Sequence, residues 1–140
     1  MKREHERGSA TLELVIVAPF MILILAAIIA AGRIGLAQQA IQTVAYDAAR
    51  AASISRDAGS ARSAAQQVAA LSMASNHLNC STSNVNISTA GFSSAVGTKA
   101  VVDATILCTV KLSDIALPGI PGAFTITREA TSAIDQFRER

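Results

Sequence analysis

The chain has 140 residues, a formal net charge of +2, and a composition that is 51% hydrophobic but only 4% aromatic, without tryptophan. This length leaves room for one compact domain at most once a membrane segment is set aside. So small a charge gives no argument for nucleic-acid binding, and the scarcity of aromatic residues argues against a deep aromatic-lined pocket.

An apolar run at residues 14–31 follows a short leader that contains Lys2, Arg3 and Arg7. As a helix the run would be about 27 Å long, close to the ~30 Å hydrocarbon thickness of a bilayer. The basic residues before the run predict a cytoplasmic N-terminus and a C-terminal part outside. A cleaved secretory signal peptide is the alternative, but its apolar core is usually shorter and ends at a small-residue cleavage site.

Two residues of this region are unusual in a membrane helix. Glu13 lies at the entrance to the run, and an acid costs about 2.5–3.5 kcal/mol near the bilayer centre and less toward an end. Glu13 therefore needs a partner. Pro19 lacks a backbone N–H and predicts a kink or a loosened turn, although membrane helices often tolerate proline.

The remaining chain predicts two helical segments and three strands within one domain at residues 34–140. Apolar residues at three- and four-residue steps continue the membrane helix, from about residue 11, through residues 34–54. A second helix is expected at about 60–75. The expected strands are at about 84–90, 99–112 and 123–133, the second with the clearest period-two pattern. The predicted fold class is α+β: a long N-terminal transmembrane/amphipathic helix and a second helix packed on a small antiparallel three-stranded sheet.

Asp47 and Arg50 lie three positions apart on the continued helix. This spacing allows a weak surface ion pair, and contact with a neighbouring subunit is the alternative. We favour the solvated surface for both residues.

The two cysteines, Cys80 and Cys108, both follow the membrane run. An even count on an extracytoplasmic segment is typical of a disulfide, which would contribute about 3.5 kcal/mol by the loop-entropy model. The alternatives are two buried thiols in a reducing compartment, or a bond between chains.

The N-terminal residues resemble the processing and assembly signal of type IV filament proteins. The matching features are Gly8 behind a basic leader, Glu13 as the fifth residue after it, and Pro19 within the apolar run. Together with the alanine-rich segment at residues 46–52, they most resemble the TadE-like pseudopilins, or minor pilins, of tight-adherence (Flp-type) pili. Major Flp pilins are short and usually carry tyrosine after the glutamate, whereas Leu14 and a sizeable domain follow here. A minor component is therefore favoured.

The resemblance implies a prepilin leader at residues 1–8, a transmembrane and assembly helix at residues 9–33, and an extracytoplasmic pilin-like domain at residues 34–140. In the family a membrane-embedded aspartyl peptidase cleaves after the glycine, which here would leave a charged α-amine on Ser9. That amine could neutralise Glu13 of a neighbouring subunit and set the register of the incoming helix. Flexibility at Pro19 would help the helix to leave the bilayer and repack in a filament.

The implied function is that of a non-enzymatic minor pilin, assembled into or priming a Tad/Flp-type pilus for adhesion, biofilm formation or DNA uptake. The implied partners are the prepilin peptidase, other pilin subunits, the lipid bilayer, and an inner-membrane assembly platform with its cytoplasmic ATPase. DNA binding at a pilus tip is a further alternative without support in the sequence. No catalytic residue, cofactor or metal site is expected. The rival functions are a permanently membrane-anchored, non-polymerising envelope protein and a helix-anchored enzyme.

Overall fold

The structure, a computed structural model, describes residues 5–95, 97–111 and 122–135, with side chains described from residue 13 onward. The strands form one antiparallel sheet in the order β1-β2-β3. A long apolar helix, a second helix and this sheet confirm the expected α+β fold. The elements are α1 (His5–Ser53), α2 (Ala58–Ser75), β1 (Cys80–Ser88), a short 3-10 helix (Ala90–Ser93), β2 (Ala100–Lys111) and β3 (Ala123–Ile134).

α1 is an unbroken helix of 49 residues, about 73 Å long at 1.5 Å per residue. Helical conformation continues through Pro19, although proline has no N–H to bond the carbonyl of Val15. It also continues through Gly32 and Gly35, which have low helix propensity. The prediction of one long helix is confirmed, and the helix begins at His5 rather than near residue 11.

α2 begins at Ala58 because Asp57 caps it. The Asp57 carboxylate accepts hydrogen bonds from the backbone N–H groups of Gly59 at 2.8 Å and Ser60 at 2.9 Å, and Ser60 Oγ donates to it at 2.8 Å. These bonds, chiefly those from Ser60, hold the pKa of Asp57 below its usual value of 3.8. The cap stabilises the first turn of α2 just before residue 60, where the sequence predicted the helix to start.

The core lies between the inner face of the sheet and α1, with α2 packed against α1. The period-two pattern predicted for β2 is confirmed, because alternate side chains along this central strand are fully buried. The largest fully buried side chains of the described residues are Ile41, Val44, Val102, Ile106 and Cys108.

Alanines fill much of the space around α1. Ala48 and Ala52 on α1, and Ala61 and Ala65 on α2, have no exposed surface. Their short side chains allow the backbones to approach closely, and alanine also has the highest helix propensity. The helices therefore pack tightly without large side chains, as the low aromatic content suggested.

Asp47 is not on the solvated surface where we predicted it. Its side chain is half-buried, and its carboxylate accepts a hydrogen bond of 2.7 Å from the hydroxyl of Ser72 on α2. Arg50 is exposed, as expected. The difference arises because α2 folds back along α1 and covers Asp47 but leaves Arg50 in solvent.

β1 differs most from its predicted bounds. It begins at Cys80 rather than near residue 84, and it ends at Ser88, after which the short 3-10 helix buries Phe92. Its polar residues pair with β2 from Cys80↔Val110 to Ser88↔Asp103, with a register shift between Cys80 and Thr82. β2 and β3 lie close to their predicted ranges, and Leu112, the last residue predicted for β2, is outside the described residues.

Candidate membrane and assembly site

The N-terminal half of α1 exposes a continuous apolar surface, which we call the exposed half (residues 14–29). Its twelve large apolar side chains are 46–69% exposed. An 18-residue window of this helix has a mean hydropathy of 3.0 and is only 6% buried. By length and composition α1 is long and apolar enough to cross a membrane, and it is the single helix of the described residues that meets this test.

The C-terminal half of α1 is in contrast held against the rest of the protein, and we call it the buried half (residues 41–53). Hydrogen bonds join α1 to β3 along its length. Gln42 Nε2 donates to the backbone carbonyl of Glu129 at 3.1 Å, and Ser132 Oγ donates to Ser53 Oγ at 2.9 Å. These bonds fix the rotation of α1 about its own axis relative to the sheet.

The predicted processing and assembly residues all lie on the N-terminal part of α1. The backbone of Gly8 and Ser9 is helical, and Glu13 and Pro19 are exposed. Residues 9 and 13 are four positions apart, so they share one helix face and are separated by about 6 Å along the axis. This spacing would place an α-amine at residue 9 within reach of the Glu13 carboxylate of the same chain.

The structure joins Cys80 and Cys108 in a disulfide within the chain, with their Cα atoms 5.3 Å apart. The expected disulfide is confirmed, and the alternatives of free thiols and an interchain bond are not what the structure shows. The bond ties the first residue of β1 to the buried face of β2. It therefore bridges the place where the register of the two strands shifts.

The two groups of predicted residues are not brought together. Gly8, Ser9, Glu13 and Pro19 lie on the N-terminal part of α1, whereas the disulfide belongs to the sheet. Within the described ranges, no three His, Cys, Asp or Glu residues are placed to hold a metal ion. The surface that sequence reasoning missed is a groove at the start of the folded domain, lined in part by Arg33, His77 and Lys111.

The comparison with known families agrees with the extent of α1. Residues 8–50 match the family model described as TadE-like protein. This N-terminal region is therefore similar to TadE-like proteins. The match begins at Gly8 and covers the whole exposed half and most of the buried half of α1. No curated protein and no solved structure matches the chain.

The TadE-like match confirms the resemblance on which the sequence predictions depend. The match covers less than a third of the chain, so the similarity to TadE-like proteins belongs to α1 and does not extend to the sheet or to α2. The apolar α1 helix agrees with a membrane-anchored pilin.

Proposed function

We propose that this chain is a minor pilin, or pseudopilin, that is cleaved after Gly8 and is assembled into, or primes, a Tad/Flp-type pilus. The observation that carries the proposal is the contrast along α1, whose exposed half has an uncovered apolar surface while its buried half belongs to the core. The TadE-like match spans this same stretch of helix. A helix with these two parts is suited to anchor in a bilayer and later to bundle with the α1 helices of neighbouring subunits.

The exposed half needs an apolar environment outside its own chain. Burial of one large apolar side chain contributes about 1.5–3 kcal/mol, so covering twelve of them contributes on the order of 20 kcal/mol. A bilayer and a bundle of neighbouring α1 helices would both cover this surface. Because the two environments are similarly apolar, the helix can exchange one for the other without a large hydrophobic penalty.

Glu13 then distinguishes the two environments. In the bilayer its carboxylate requires a cation at the same depth, and cleavage after Gly8 creates one as the α-amine of Ser9. Pairing within one chain satisfies the charge in the membrane, and pairing between neighbours fixes the axial register of a bundle. Pro19 leaves the carbonyl of Val15 without its helical hydrogen bond, so the exposed half can bend there during the transfer from bilayer to bundle.

In this proposal the protein crosses the cytoplasmic membrane once, with its N-terminus inside and its domain at residues 34–140 outside. It reaches the cell surface when it is assembled into a pilus. Its partners are the prepilin peptidase, other pilin subunits, and the inner-membrane platform with its cytoplasmic ATPase. The role is structural rather than enzymatic, and it serves adhesion, biofilm formation or DNA uptake through the pilus.

Cleavage is tested by N-terminal sequencing and mass measurement of the protein from native membranes. The wild-type chain should begin at Ser9, and Gly8→Val should remain uncut. Gly32→Val is the matched control, because Gly32 lies in the same helix with nothing within 4 Å of an added Cβ. This control should still begin at Ser9. An intact Met1 in the wild-type protein, in cells with an active prepilin peptidase, would support the permanently anchored envelope protein instead.

A further inference from the structure

A groove lies where α1 enters the folded domain, and we call it the membrane-proximal groove. It has a volume of about 490 Å³ and is enclosed by α1, by the turn between α2 and β1, and by the adjoining ends of β2 and β3. Its wall on α1 begins at Arg33, two residues after the apolar run ends at Ala31.

We propose that the membrane-proximal groove binds the anionic headgroup of a phospholipid from the leaflet in which α1 leaves the bilayer. This inference rests on the proposed membrane placement of α1. At 1.5 Å per residue, Arg33 lies about 3 Å beyond the apolar run, and the headgroup layer is about 5–8 Å thick. The lower part of the groove is therefore level with the lipid headgroups.

The charges around the groove favour an anion. Its described lining contains Arg33 and Lys111, the imidazole of His77 and the amides of Asn76 and Asn79, and no carboxylate. Arginine and lysine bind phosphate oxygens through charge-assisted hydrogen bonds, and the Asn79 amide adds neutral donors, whereas the Asn76 amide already donates to the carbonyl of Ser72 at 2.7 Å.

The rest of the groove is apolar, which favours a lipid over a free anion. Leu78, Val110 and Ile126 line it together with Phe124, and the Phe124 ring is 39% exposed. Ile126 is buried, but a small anion would leave Phe124 and the half-buried Leu78 and Val110 in contact with water. A phospholipid would cover them with its glycerol and upper acyl chains while its phosphate meets the basic residues.

The backbone at His77 places an imidazole at the edge of the groove. His77 follows α2 in a left-handed conformation with φ of 53°, and the N–H of Leu78 bonds the carbonyl of Met73 at 3.0 Å, as in a Schellman motif. Glycine normally occupies this position, because a side chain there raises the backbone energy. The chain instead has a histidine there, and the motif holds its exposed imidazole at the edge of the groove.

The test uses the full chain in lipid nanodiscs of phosphatidylcholine mixed with phosphatidylglycerol. Native mass spectrometry then measures which lipid stays with the released protein. The wild-type protein should retain phosphatidylglycerol above its share in the nanodisc. Lys111→Gln should lower that enrichment about five-fold, the effect of one basic residue at an anionic surface.

Lys99→Gln is the matched control, because Lys99 is exposed beside the opposite end of β2 and undergoes the same change of charge. It should leave the enrichment unchanged. His77→Gly is a second variant, in which the backbone strain is removed, so a lower enrichment there would not result from unfolding. Equal losses in Lys99→Gln and Lys111→Gln would overturn the proposal in favour of diffuse surface attraction.

Two further outcomes separate this inference from its rivals. If inorganic phosphate protects the solubilised protein against heat as well as phosphatidylglycerol does, the ligand is the anion alone and the lipid assignment is wrong. If an inserted chain retains both lipids equally, only the groove assignment fails. If the chain does not stay in the nanodisc at all, the membrane placement of α1 fails with it.

Discussion

The two halves of α1 have the same secondary structure and opposite surroundings. The exposed half carries large side chains such as Ile22, which is 67% exposed, whereas most of the buried side chains in the buried half are alanines such as Ala48, which has no exposed surface. Large side chains offer the most apolar area to a bilayer or a neighbouring helix, and small ones allow close packing within the domain. The side-chain size along one helix therefore separates the part that serves assembly from the part that serves the fold.

The largest expected effect concerns Glu13, the acidic residue at the start of the exposed half. Glu13→Ala should leave cleavage after Gly8 intact but abolish incorporation into pili, because the α-amine of Ser9 loses its partner in the neighbouring chain. The measurement is the amount of subunit in sheared pili relative to that in membranes. Glu129→Ala is the control, since Glu129 is an exposed acid of the folded domain. Normal incorporation of Glu13→Ala would contradict charge pairing as the determinant of assembly.

A matched pair of substitutions tests the contrast between the halves directly. Ala48→Leu should lower the free energy of unfolding by about 1–3 kcal/mol, because the added atoms overfill a core position without exposed surface. Ala27→Leu should leave it nearly unchanged, because Ala27 is exposed within the apolar run. Urea denaturation of the detergent-solubilised chain, followed by circular dichroism, measures both. Equal effects would show that the two halves do not differ in packing as described.

The smallest expected effect concerns the cap of α2, the helix that covers part of the buried half. The pKa of Asp57 is lowered in the folded state, so its contribution to stability is present above the usual pKa of 3.8 and is lost as the pH falls through the lowered value. The melting temperature should therefore decrease slightly as the pH is lowered below about 4.

Asp57→Asn provides the control for this pH dependence. Asparagine still caps the helix but does not titrate, so this part of the dependence should disappear. An unchanged pH profile in Asp57→Asn would assign the loss of stability to other carboxylates.

Much of the fold could be predicted because the responsible signals are local and periodic. The long apolar run predicts α1, the alternation along β2 predicts its buried face, and two cysteines beyond the run predict a disulfide. β1 was placed too late because its first residues, Cys-Ser-Thr-Ser, have no alternation of apolar and polar side chains. These residues are a strand because their backbones pair with β2.

The candidate functional residues also include some that the sequence predicts and some that it does not. The pattern of Gly8, Glu13 and Pro19 is contained in twelve consecutive residues, so it is visible without a structure. The membrane-proximal groove is not, because Arg33, His77 and Lys111 come from distant parts of the chain. The left-handed backbone of His77 also has no signal in the sequence, where a glycine would have indicated it.

By itself the sequence determined that the chain has one helix apolar enough for a bilayer, an acid at its entrance, and a strand with one buried face. These properties depend on residues within a turn or a few strand positions of each other. The tertiary structure decided where α1 passes from exposed to buried, that Asp47 bonds to Ser72, and that four separated segments form a groove with a basic edge. Each of these depends on contacts between residues far apart in the chain, which form only when the helices and the sheet pack together.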